Sequence, residues 1–279
     1  MKNFYDHLDA DVKALLLAQI RDLWTHTSTA IEGNSLTLGE TSFILEEGLT
    51  IQGKPLKDHN EVFGHAKAID IIYSLLTAQQ KDISKQDLFN LHETVLTERI
   101  RDVEQPVGNW KRQSNYVTYI NSENKQEWRE YPAPRNTDGL MSQWLNTLNA
   151  GLQSELTRTE AIQAYADLHL SFVSIHPFFD GNGRMARLLA NLPALNSGFP
   201  PVVVPQEDRY QYKLTLSNYQ STIQDLVNLK DLSDLPKNAE KDAFVNLCKS
   251  YWCETHNLID KANKVQADRQ ADSDRLGLT

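Results

Sequence analysis

Cysteine is nearly absent. The two present, Cys248 and Cys253, stand five apart in "CKSYWC". A zinc site takes about four ligands at tighter spacing, and a small secreted scaffold carries many more thiols. Five apart on a helix, the two would not share a face, so they read as ordinary thiols in a reducing compartment. A basic excess is also missing. Lys and Arg number 28 against 37 Asp and Glu, a net charge of −9, and the pI is about 5.4. A chain built to grip a phosphate backbone usually presents a basic surface, so general nucleic-acid binding is not expected. No apolar run approaches the ~20 residues of a membrane span. The opening "MKNFYDHLDA" is not a signal peptide, and a cytoplasmic protein without a membrane partner is expected. Internal repeats, low-complexity tracts and long linkers are absent too.

What is present is a helical pattern. Hydrophobic residues make up 40% of 279 and charged residues 23%, enough for one large domain or two small ones. Val12, Leu16, Ile20 and Leu23 keep helical spacing. "TLGETSFILEEG" opens with Thr37 and Glu40 in capping-box spacing and closes at Gly48. Val62, Ala66, Ile69, Ile72, Tyr73 and Leu76 mark another stripe. A Ser84–Asp87 cap precedes Leu88, Leu91 and Val95. Further stripes are Leu140–Leu148 around Trp144, Ala161–Ile175, Leu188–Leu192, Leu216–Leu226 and Phe244–Tyr251. One segment breaks the rule: "NYVTYINSENKQEWREYPAP" predicts a β-hairpin from about Asn115 to Tyr131, stopped by Pro132 and Pro134. Trp144 is expected in the core, and Trp110 and Trp128 at the base of the hairpin. The polar tail "ADRQADSDRLGLT" is expected to fray.

The chemistry concentrates in "SIHPFFDGNGRMARLLANL", from Ser174. Pro177 makes helix continuation through His176 unfavourable, so the preceding helix ends there and presents an imidazole. Gly181 and Gly183 allow a tight, left-handed or strained turn. A helix beginning immediately afterwards offers free N–H groups and a positive dipole end to an anion. Arg184 and Arg187, three apart in the first turn on one face, suit phosphate oxygens. Asp180 is a hard oxygen ligand of the kind that holds Mg²⁺ together with substrate phosphates. His176 can take a proton from an attacking hydroxyl. Together these groups describe phosphoryl or nucleotidyl transfer from a Mg-nucleotide. The bland alternative is helix caps and surface ion pairs.

At these residues the sequence resembles the Fic-domain family. Its pattern, His-Pro-Phe-x-Asp/Glu-Gly-Asn-Gly-Arg-x-x-Arg, is matched by His176, Pro177, Phe178, Asp180, Gly181, Asn182, Gly183, Arg184 and Arg187. "GNWKRQSNYV" resembles the start of the family's flap, departing from it at Lys111, often Arg, and Ser114, often Gln. "GFPPVVVPQEDRYQYKLTL" resembles the segment after its motif helix. The resemblance runs from about Trp24 to Leu229. It implies a mainly α fold, a Fic-type helical bundle with a short β-hairpin flap over the active site. The expected divisions are 1–54, an N-terminal helical region, 55–230, the catalytic core, and 231–279, a helical extension and tail, in one compact unit. It implies AMP transfer from ATP to a Ser, Thr or Tyr hydroxyl of a target protein, with Mg²⁺. His176 would be the base and Asp180 the Mg²⁺ ligand. Gly181, Asn182 and Gly183 would cradle the phosphates, Arg184 would take the β-phosphate and Arg187 the γ-phosphate. The flap near Asn115, Tyr116, Val117 and Thr118 would clamp the target chain by strand addition and cover the nucleotide. Tyr212 and Gln220 fall where the family lines its adenine pocket.

A second match lies upstream in "STAIEGNSLTLGE". Ser28 and Glu32 read as the end of a helix capped by Gly33, with an acid where the dipole repels it. A surface ion pair would compensate. The resemblance implies an inhibitory motif, with Glu32 pairing Arg187 and blocking the γ-phosphate seat. In some family members the equivalent glutamate serves AMP removal instead. Transfer of another phosphate-containing group and a non-catalytic nucleotide-binding module stay open beside these, as does self-modification. His169, two helical turns before His176, is expected to be structural. The amphipathic "AFVNLCKSYWCETHNLIDKA" serves either packing on the domain or a homodimer interface.

Overall fold

The structure, a computed structural model, describes residues 3–77, 82–97, 104–120 and 125–276. It is mainly helical with one two-stranded antiparallel sheet, as the sequence pattern predicts. Helices α1 (Ala10–Ile31), α2 (Leu38–Glu47), α3 (Leu56–Thr77) and α4 (Lys85–Val95) precede the hairpin β1 (Tyr116–Ile120) and β2 (Gln126–Glu130). After it come α5 (Pro134–Leu152), α6 (Arg158–Ile175), α7 (Asn182–Leu189), α8 (Leu192–Asn196), α9 (Arg209–Ser221) and α10 (Ala239–Leu276).

Local chemistry sets most helix ends. Thr37 with Glu40, Ser84 with Asp87 and Thr157 with Glu160 each form a complete capping box, in which two N–H groups left open by the helix start find acceptors. Gly48 closes α2 in the left-handed conformation, at φ 68°. Pro134 sits at the first turn of α5, where its missing N–H costs nothing. In the hairpin Tyr116 pairs with Glu130 and Ile120 with Gln126. The Asn-Ser-Glu-Asn centre expected as its turn lies outside the described residues.

The core is organised around α6, which packs against α5, α7, α8 and α10. Trp144 is fully buried against Phe172, and its indole N–H donates to Leu168 O at 3.0 Å. Trp144→Ala removes that ring and its hydrogen bond. It is expected to cost about 3–5 kcal/mol, read as a lowered urea midpoint by circular dichroism. Unfolding within 1 kcal/mol or so of wild type would mean the site collapses freely.

Several expectations are corrected. Trp128 is not base packing: it is 66% exposed on the hairpin, edge-on to Tyr116. Trp110 does pack inward, edge-on to Phe89 and beside Phe178. The stripe through Leu216 and Tyr219 leaves its helix before Ile223 and Leu226, because α9 stops at Ser221 and Thr222 turns its hydroxyl onto Tyr219 O. Leu226 is nonetheless buried, in a turn. The polar tail is helical to Leu276: α10 is tied to the start of α1 by Arg269 on Asp11, by Gln266 on the Asp9 N–H and by Asn263 on His7. Leu16, Ile20 and Ile259 form a small apolar cluster there, so the extension packs on its own domain. Cys248 is buried and Cys253 exposed on that helix. No helix among the described residues is long and apolar enough to cross a membrane.

Candidate active site

His176 ends α6 in a left-handed conformation, φ 50° and ψ 60°, the one positive φ on a non-glycine residue among those described. Its N–H donates to Phe172 O, and Pro177 prevents a further turn. The loop that follows is held by side-chain amides. Asn182 accepts from the Phe178 N–H at 2.9 Å and donates to Phe178 O at 2.8 Å. Asn115 donates to Phe178 O at 2.8 Å. His92 accepts from the Gly108 N–H on Nδ1, so its Nε2 carries the proton and donates to Asp180 O at 3.0 Å. That ring stacks on Phe178 at 3.8 Å, and burial pushes its pKa down to about 4.

The two motif glycines do different work. Gly181 takes the left-handed turn, at φ 77°, and starts α7. Gly183 is an ordinary helical residue, against the expectation of strain at both. It must lack a side chain because a Cβ there would lie 2.6 Å from Glu32 Oε1 and 3.1 Å from Arg187 Nη1. The arginines are also placed differently. Because α7 begins at Asn182, Arg184 lies in its first turn and Arg187 in its last, where a cation suits the dipole. Both are buried, Arg184 at 6% and Arg187 at 2% exposure.

The charge opposing them is in the same structure. Arg187 Nη2 donates to Glu32 Oε1 at 2.7 Å and to Ser28 O at 2.8 Å, and its Nε donates to Ser28 Oγ at 3.0 Å. Lys213 Nζ lies 4.0 Å from the other Glu32 oxygen, and Arg209 donates to Ile31 O at the end of α1. Burial pushes the Glu32 carboxyl up, but the Arg187 charge and hydrogen bond outweigh it and hold the pKa below the usual range. A depressed carboxylate contributes its pairing above the ordinary carboxylate pKa and loses it as pH falls through the lowered one. The Glu32–Arg187 contact therefore persists across neutral pH. Arg184 has its own acid: Nη1 lies 3.5 Å from Glu61 Oε1, and Glu61 also accepts from Asn34, two residues past Glu32.

Two cavities meet at this point. One, about 740 Å³, is lined by Asp180–Arg184, Ser114–Tyr116, Lys57 and Glu61. The other, about 660 Å³, is lined by Val117, Thr118, Arg187, Tyr212 and Gln220. Glu32, His176 and Gly183 wall both. Tyr212 lies beneath Arg187, its hydroxyl 2.9 Å from His169 Nε2 and 3.4 Å from Arg187 Nη1. His169 is fully buried there, under the site. Gln220 donates to Val173 O and accepts from Arg129 of the hairpin at 3.3 Å. Asp180 turns its carboxylate to the first cavity, with 73% of the side chain exposed, one oxygen accepting the Gly181 N–H and the other 3.8 Å from Arg184 Nη2. Among the described residues no three His, Cys, Asp or Glu side chains are grouped to hold a metal unaided. One carboxylate completed by phosphate oxygens is a usual Mg²⁺ mode, so the donor set fits Mg²⁺ arriving with a nucleotide.

Asn115 is the residue placed least as expected. It is 6% exposed and turns its amide onto the His176 loop at the wall of the first cavity, which Tyr116 also lines, while Val117 and Thr118 line the second. Three contacts left no local signal. Tyr131 stacks on His176 at 3.9 Å and 5°. Lys111 is buried at 2% exposure, its pKa pushed down by burial to about 7. Glu61 arrives from α3. Burial, with the nearby Lys111 charge, lowers the His176 pKa to about 3, so the ring is neutral at physiological pH.

The Fic/DOC family model matches residues 82–194. A Caenorhabditis elegans protein named protein adenylyltransferase fic-1 is 38% identical over 202 residues, which is 70% of this chain and 35% of that protein. The chain thus spans about a third of that relative's length. A crystal structure of a Fic domain containing signaling protein from Bacteroides thetaiotaomicron superposes with a TM-score of 0.77 over 92% of each chain at 24% identity, a likeness of fold. A fragment of C. elegans Fic-1 gives a TM-score of 0.70 at 28% identity, over 94% of this chain and 69% of that one. Likeness of sequence and likeness of fold fall on the same helices and the same loop, and the chain belongs to the Fic/DOC family.

Proposed function

We propose that this chain is an autoinhibited protein adenylyltransferase, moving AMP from ATP to a Ser, Thr or Tyr hydroxyl of a protein. The observation that carries the reading is the buried Arg187 held by Glu32 and Ser28 beside the start of α7, where open N–H groups favour an anion. The triphosphate would lie along Gly181–Arg184 in the larger cavity, on N–H groups that have no helical acceptor. The nucleoside would reach the second cavity, against Tyr212 and Gln220. The target chain would run along the hairpin at Tyr116–Thr118, with its hydroxyl at His176. The hydroxyl oxygen bonds to the α-phosphorus as the bond to the pyrophosphate oxygen breaks. The proton passes to His176, and the electron pair leaves with pyrophosphate. Asp180 with phosphate oxygens would hold Mg²⁺, which supplies charge neutralisation. Occupation of Arg187 by Glu32 leaves the γ-phosphate without its clamp, so ATP binds in a pose unsuited to attack. A cytoplasmic setting is part of the same proposal.

The reading is tested with α-labelled ATP, cell lysate and the purified chain. Labelled protein bands and a one-AMP mass adduct are expected. Chelating Mg²⁺ should abolish both, and Asp180→Ala should raise the Mg²⁺ needed for half-maximal labelling by at least about tenfold. An unchanged Mg²⁺ dependence in Asp180→Ala would remove that residue from the role. Labelling from another nucleotide, with none from ATP, would replace AMP as the group moved.

A further inference from the structure

Lys111 is a lysine buried at 2% exposure whose donors go to an amide and a carbonyl rather than to a carboxylate. Burying an ammonium is costly, so what it holds matters. Its Nζ donates to Asn115 Oδ1 at 2.8 Å and to Ile175 O at 3.2 Å. Asn115 accepts from Lys111 on its oxygen and turns its NH₂ to the carbonyls of Phe178, at 2.8 Å, and His176, at 3.2 Å, which only accept. The same Nδ2 lies 2.7 Å from His176 Nδ1. Asn182 is fixed in the same sense, because its oxygen accepts a backbone N–H, and its Nδ2 lies 3.1 Å from the same nitrogen. Two amide donors therefore converge on His176 Nδ1. That nitrogen carries the lone pair, and the proton of the neutral ring is on Nε2.

We propose that Lys111 is a positioning residue for His176: acting through Asn115, it holds the imidazole in the Nε2–H form, so that the site at rest offers a donor rather than a base. The consequence for turnover rests on the AMP-transfer reading; the tautomer does not. To take a hydroxyl proton on Nε2, the ring needs its own proton on Nδ1 and an acceptor there. The oxygen of Asn115 would serve if the amide turned over, but turning it breaks the bond from Lys111 and points oxygen at the Phe178 carbonyl. Lys111 thereby sets a threshold for activating His176 that is separate from Glu32. Tyr131, stacked on the ring at 3.9 Å, fixes its plane without choosing between the nitrogens.

The test needs no turnover, so it separates this inference from the failure of the proposed reaction. The full chain is labelled with ¹⁵N-histidine, and the His176 nitrogens are assigned by their loss in His176→Gln. Long-range ¹H–¹⁵N spectra of wild type should show a protonated Nε2 and a bare Nδ1. Lys111→Arg should keep that pattern. Lys111→Met should move a substantial share of the ring to the Nδ1–H form. Asn115→Asp, which preserves size and replaces the donor by an acceptor, should place the proton on Nδ1; it keeps the inference testable if Lys111→Met does not fold. A protonated Nδ1 in wild type would overturn the proposal. So would a Lys111→Met spectrum that superimposes on wild type at His176, or an Asn115→Asp ring still protonated on Nε2.

Discussion

AMP transfer is expected to rise about 10–100-fold when Glu32 is replaced by glycine. The size follows from what is removed. Arg187 makes a charge-assisted hydrogen bond to Glu32 at 2.7 Å, in a pocket where the guanidinium is 2% exposed. Bonds of that kind contribute about 1.5–3 kcal/mol net, which corresponds to roughly 10–100-fold in an equilibrium. A γ-phosphate that competes for the same guanidinium recovers that factor when the carboxylate is gone. The backbone tolerates the change, because Glu32 is the residue that ends α1 and Gly33 already takes the left-handed turn at φ 107°. Arg187 is not released from its place: Ser28 still accepts from it through Oγ and through its carbonyl.

The position of the carboxylate also shows why charge and bulk both count. Glu32 Oε1 lies 2.6 Å from the place a Cβ on Gly183 would take, against the first turn of α7 where an anionic ligand is favoured. Glu32→Gln keeps the volume and an acceptor oxygen but loses the charge, so it should give a smaller rise than glycine. The measurement is incorporation from α-labelled ATP under equal protein and Mg²⁺, with nucleotide affinity recorded alongside. Equal incorporation by wild type and Glu32→Gly, with ATP bound by both, would end the autoinhibition reading.

Contiguous features were legible in the sequence and convergent ones were not. The run from His176 to Arg187 could be read because its parts act within twelve residues, where a proline, a glycine turn and a helix start dictate one another. The capping boxes at Thr37 and Ser84 are visible for the same reason, since the partner is three residues away. Glu32 could be recognised as misplaced at a helix end, but its pairing with Arg187 across 155 residues came from family resemblance and not from spacing. The contacts of Lys111, Tyr131 and Glu61 with the site were not legible, because they depend on which helix and hairpin faces meet at His176 and Arg184. Resemblance places Asn115 at the flap; that its amide also supports the His176 loop from the wall of the first cavity had no local signal, because the loop lies more than sixty residues away. Periodicity failed where burial outlasts the helix, as at Leu226, and composition failed at the tail, where α10 continues and Arg269 reaches Asp11 on α1.

Adding His176→Ala to Glu32→Gly is expected to remove transfer by about 10²–10⁴-fold, the range a positioned acid–base group contributes. The double variant is the informative one, since the proposed autoinhibition would leave the wild-type chain with a low rate. ATP affinity should change little, because the proposed phosphate contacts are Gly181–Arg184 and Arg187 and not the imidazole. A collapse of the loop would give the same loss of rate for a different reason, and the structure says how to tell them apart. The loop is anchored by Asn182 on both the N–H and the O of Phe178, by Asn115 on Phe178 O and by His92 on Asp180 O, none of which passes through the His176 ring. Removing that ring leaves Tyr131 without its stacking partner but leaves those four bonds in place. The expected result is therefore a protein that binds Mg-ATP like its Glu32→Gly parent and does not turn it over. Retained transfer with retained binding would assign the proton to another group and strip His176 of its role as base.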